Sequence, residues 1–128
     1  MLAKGVKVSA GTDATRVASY NPWVSLAWLI TGKTVSGLRM YPERNCLDRE
    51  TALRMWTENV SWFSNEVGKK GRIEEGQLAD LVVPDRDFYS CAESEIVSAW
   101  SKNQLRPSSA MSWSTRSNTS SARLMVSS

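Results

Sequence analysis

The chain of 128 residues contains no histidine, so no Ser-His-Asp, Cys-His or histidine-ligated metal site can be built from it alone. Any catalysis must use other groups. Two acids stand out by position. Asp13 follows Gly11-Thr12 directly after a run in which Val6, Val8 and Ala10 alternate with Lys7 and Ser9, which places a carboxylate at a strand's carboxyl end. An acid there is equally a turn residue bonding to its own backbone. Asp80 is embedded in the apolar run Leu78-Ala79-Asp80-Leu81-Val82-Val83, where an acid inside a strand invites promotion to a catalytic partner. Cys46 and Cys91 are far apart without CxxC spacing. With no hydrophobic signal segment at the amino end, they are expected as reduced thiols in a cytoplasmic protein.

Charge is divided unevenly. Residues 1–97 carry 12 Lys/Arg against 13 Asp/Glu, whereas residues 98–128 carry Lys102, Arg106, Arg116 and Arg123 and no acid. The basic balance therefore belongs to the tail. Its cations are scattered among serines rather than grouped on one face between aromatic platforms, so no nucleic-acid partner is expected. No apolar run reaches 18 residues, so no membrane span is expected either.

The elements that must position these groups follow from local signals. Gly5 reads as the residue that ends a preceding helix, and residues 6–10 as a short strand closed by Gly11-Thr12-Asp13. Asn21 is suited to cap a helix with Pro22 in its first position and Trp23, Val24, Leu26, Ala27, Trp28, Leu29 and Ile30 behind it. Such a helix, apolar on nearly all sides, requires burial. After a loop through Tyr41-Pro42, Asp48 caps a second helix in which Ala52, Leu53, Trp56, Val60 and Phe63 recur at helical spacing, ending at Gly68, Lys69 and Lys70. Trp23, Trp28, Trp56 and Trp62 are expected in the core rather than at a ligand, and Trp100 and Trp113 lie unexplained in the tail. A turn-rich stretch then leads into the apolar strand of residues 78–83, and Pro84 ends that strand or confines it to an edge. Eleven of the last 31 residues are serine, which predicts disorder for residues 98–128.

Two segments, Gly5-Val6-Lys7-Val8-Ser9-Ala10-Gly11-Thr12-Asp13-Ala14 and Lys70-Gly71-Arg72-Ile73-Glu74-Glu75-Gly76-Gln77-Leu78-Ala79-Asp80-Leu81-Val82-Val83, resemble the carboxyl-terminal portion of the amidohydrolase superfamily, in the branch of formamide deformylases and D-aminoacylases. The second is the more specific, similar to a G-x-I-x-x-G-x-x-A-D-L-V-V signature. The resemblance covers about residues 1–97. It implies an α+β fragment: the last strand and helices of a (β/α)₈ barrel in residues 1–70, the return strand of a small β-sandwich in residues 71–97, and the disordered tail in residues 98–128. A complete barrel takes about 250 residues.

By the same resemblance, Asp13 is the family's last-strand aspartate, a metal contact and proton acceptor for the water that attacks a non-peptide C–N bond; the metal, commonly zinc, lowers that water's pKa toward ~7. Arg16, on the following loop, is the expected substrate-binding side chain for an anionic group. The substrate implied for an intact relative is a small amide. The family's His-x-His pair, its bridging carboxylated lysine or equivalent acid, and its middle-strand histidines have no counterpart here. The fragment is therefore expected to hold no metal tightly and to be inactive alone. Pro84 and the serine-rich tail also depart from the family's pattern. These departures predict a gene truncated at the front and frameshifted near Val97. Apolar faces left without a barrel predict self-association. The alternative is a non-catalytic interaction module, or an inert remnant.

Overall fold

The computed structural model describes residues 1–13, 19–99, 101–105 and 125–126, the last two stretches as backbone alone. The chain opens on a 3₁₀ turn, Leu2–Lys4, closed by Gly5 at φ 71°, whose N–H donates to the Leu2 carbonyl at 2.8 Å. That ending is the one read from Gly5.

Residues 6–13 form no strand ladder, which corrects the expected barrel strand. A strand in a closed barrel needs neighbours on both edges. Here main-chain groups of this segment are met by helical residues instead: the Ala10 N–H donates to the Met55 carbonyl at 2.9 Å and the Asn59 amide to the Val8 carbonyl at 2.8 Å.

Helix α1 spans Pro22–Thr31. The Asn21 side chain accepts from the Trp23 N–H at 3.0 Å, and Gly32 ends the helix at φ 67° with its N–H on the Trp28 carbonyl. Burial is one-sided, because Trp23, Leu26, Ala27 and Ile30 are enclosed while Trp28 stays 45% exposed. Asp48 caps α2, Arg49–Trp56, by accepting from the Thr51 N–H at 2.8 Å and its hydroxyl at 2.7 Å.

The expected single second helix is two. Thr57, at φ −120° and ψ −82°, breaks it, and α3 runs over Glu58–Phe63. Gly71, at φ 97°, lies against the break so closely that an added Cβ would stand 2.8 Å from the Thr57 carbonyl oxygen. The end also comes earlier than Gly68. Asn65 takes φ 57°, its N–H donates to the Trp62 carbonyl, and the Glu66 N–H donates to the Ser61 carbonyl at 2.7 Å. That is the paired closure usually left to glycine. Trp62, 50% exposed, and Phe63, 54% exposed, pack edge to face at 4.9 Å outside the core, so Trp62 and Trp28 are corrected from core to surface.

Strand β1, Leu81–Pro84, is the centre of a three-stranded antiparallel sheet, between β2, Ser101–Leu105, and β3, Met125–Val126; helix α4, Glu93–Ile96, lies between β1 and β2 in the chain. Leu81 pairs with Leu105 and Val126, and the register slips between Val83 and Pro84. Pro84 thus ends the strand without placing it on an edge. The two outer strands correct the expectation of a wholly disordered tail. Their pairing uses main-chain groups, which the absence of a hydrophobic alternation in residues 101–105 does not reveal. The remaining tail, 106–124 with 100 and 127–128, lies outside the described residues. One core joins Trp23, Leu26, Ala27 and Ile30 of α1 to Ala52 of α2, Val82 of β1, Phe88, Ile96 and Ala99.

Candidate functional site

Asp13 is exposed and takes φ 49°, a left-handed conformation tolerated best by Asp, Asn and Gly. It follows the segment tied to Met55 and Asn59, so the α2–α3 junction is what fixes its approach. Asn59 carried no signal in the sequence. Its position in a helix gives no indication that its side chain reaches a carbonyl 51 residues away. Arg16 lies outside the described residues. Asp80 is half-buried and immediately precedes β1 rather than sitting within it.

Beside Gly11 and Thr12 opens a groove of about 590 Å³. One face of α1 forms its floor, with Val24 and Trp28, and a hairpin over residues 33–40 forms a wall with Val35 and Met40. That wall is held by its own backbone. Met40 N–H donates to the Gly32 carbonyl at 2.8 Å, Thr34 N–H to the Leu38 carbonyl at 2.9 Å, and Lys33 bridges Arg39. Tyr41 braces it from outside: its hydroxyl donates to the Trp28 carbonyl, and its ring meets the Trp28 ring edge-on at 5.8 Å. Burial, and then the neighbouring Cys46, push the Tyr41 hydroxyl pKa above its ordinary value, so it remains a donor at neutral pH.

A divalent metal does not fit the donors present. Among the described residues, no three His, Cys, Asp or Glu side chains are grouped to hold an ion, and the chain has no histidine to add. One exposed carboxylate cannot complete a tetrahedral shell. Among the described residues, no helix is long and apolar enough to cross a membrane. Cys46 and Cys91 are both free thiols.

The α+β fold and an exposed acid do not by themselves name a class, and comparison with known proteins supplies it. The model of the amidohydrolase family matches residues 1–106, and the chain belongs to that family. The match runs past Val97 into β2. An N-substituted formamide deformylase of Arthrobacter pascens is 33% identical over 96 residues, which are 75% of this chain and 17% of that relative's length. The chain therefore spans about a sixth of the curated relative that it matches. No solved structure matches it.

Proposed function

We propose that this chain supplies the carboxyl-terminal part of a hydrolase acting on non-peptide C–N bonds of small amides, with Asp13 as a carboxylate of the hydrolytic centre. The observation that carries the reading is the placement of Asp13: exposed, at the end of a segment anchored by Met55 and Asn59, within a stretch matched by the family model. A carboxylate so held can accept the proton of an attacking water as it adds to the amide carbon. Arg16, three residues on, is the proposed contact to a negatively charged part of the substrate.

The isolated chain is proposed to be inactive. In the intact family the divalent metal, commonly zinc, would draw its histidine ligands from outside this segment, with Asp13 as the contact proposed from within it. A cytoplasmic setting belongs to the same proposal, as does self-association through the half-exposed Trp62 and Phe63.

The test is a graft. Replacing the 96 matched residues of the Arthrobacter pascens relative by those of this chain should retain hydrolysis, and Asp13→Asn should then lower kcat by about 100-fold or more, the usual worth of a general base. A graft that keeps its full activity after Asp13→Asn would remove Asp13 from the centre. Zinc-dependent amide hydrolysis by the isolated chain, lost on Asp13→Asn, would overturn its proposed inactivity.

A further inference from the structure

The groove beside Gly11 and Thr12 has the features of a small-molecule site in its own right. Its volume, about 590 Å³, falls within the range of ligand pockets. Its wall keeps Val35 71% exposed and Met40 58% exposed opposite Trp28 at 45%. Three large apolar side chains gathered around one concavity leave a surface that gains by being covered. The shape is also set in advance. The hairpin is tied back onto the end of α1 by the Met40 N–H on the Gly32 carbonyl at 2.8 Å and closed on itself by the Thr34 N–H on the Leu38 carbonyl at 2.9 Å.

Charge selects the ligand class. Among the described residues, Lys33 and Glu93 are the ionic side chains that line the groove. Their charges cancel, which favours a neutral molecule over either ion, and Ser25 and Ser94 supply hydroxyls to pair with a single polar group. The half-exposed Trp28 ring, held edge-on to Tyr41, offers aromatic contact.

We propose that this groove binds a neutral aromatic molecule bearing one hydrogen-bonding group, seated between Trp28 and the hairpin of residues 33–40. Asp13 does not line it, and the site stands whether or not the chain takes part in hydrolysis.

The experiment is an NMR titration of the full 128-residue chain with benzyl alcohol, benzylammonium and benzoate. Benzyl alcohol should shift the Trp28 indole N–H and the Val24, Val35 and Met40 methyl signals, and should half-saturate at about ten-fold lower concentration than either ion, because a charged group loses more hydration on entry. Ser25→Phe, which fills the groove from the half-buried face of α1, should abolish those shifts, and Trp62→Ala, on α3, should leave them unchanged. Equal binding of the three probes, equal shifts at the exposed Trp62–Phe63 pair, or an unaltered titration of Ser25→Phe would each overturn the proposal.

Discussion

The side-chain amide of Asn59 donates to the main-chain carbonyl of Val8 at 2.8 Å, tying the segment that ends in Asp13 to helix α3. With the bond from the Ala10 N–H to the Met55 carbonyl at 2.9 Å, it replaces part of what neighbouring strands would supply. Asn59→Ala should cost about 1 kcal/mol, the net worth of one hydrogen bond. It should also speed hydrogen exchange at Ala10 more than at the α1 amides, read by mass spectrometry or NMR. Uniform acceleration along the chain would show that Asn59 has no local role there.

Arg49 links α2 to the loop before α4. Its guanidinium donates to the carbonyls of Phe88 and Cys91, the latter at 2.6 Å, and lies 5.9 Å from the centre of the Phe88 ring. Arg49→Ala removes the guanidinium donors from two part-buried carbonyls, leaving that of Phe88 only the weak Cys91 thiol donor, and should cost about 2–3 kcal/mol in a denaturant titration. Arg49→Lys should recover less than half of that, since a point charge cannot make the forked contact.

Acid should weaken the start of α2. Bonds from the Thr51 N–H, then from its hydroxyl, hold the Asp48 carboxyl below its ordinary 3.8. Its folded-state pKa is lowered, so its contribution is full above the unfolded value and is lost as pH falls from about 4 through the folded value. Helicity followed by circular dichroism should drop over that range. Asp48→Ala should cost about 1 kcal/mol at pH 7 and flatten the acid response.

Gly71→Ala should destabilise the fold on two counts. Its φ of 97° disfavours any side chain, and the new Cβ would meet main-chain atoms of Thr57 and Glu58 at 2.8 and 2.9 Å. A loss of about 2 kcal/mol in thermal or chemical unfolding is expected. Substituting Gly76, where a Cβ meets nothing within 4 Å although φ is 86°, should cost about 1 kcal/mol, the conformational part alone.

Local chemistry wrote the helix starts into the sequence. Asn21 and Asp48 cap where their side chains predict, Pro22 takes the first helical position, and Gly5 and Gly32 end their turns, because each effect needs only a few adjacent residues. The apolar run into β1 was legible for the same reason. Tertiary structure alone decided the rest. Whether residues 6–10 become a strand depends on a partner's backbone, and Asn59 and Met55 took that place; the break at Thr57 lies against Gly71, fourteen residues away. Strand β2 pairs through main-chain groups that every residue but proline shares, and the groove at Trp28 exists only because Gly32 and Tyr41 fold the hairpin back over α1. Short-range hydrogen bonding and backbone freedom are properties of a residue and its neighbours, whereas a concave surface or a shared sheet is a property of segments that the sequence keeps apart.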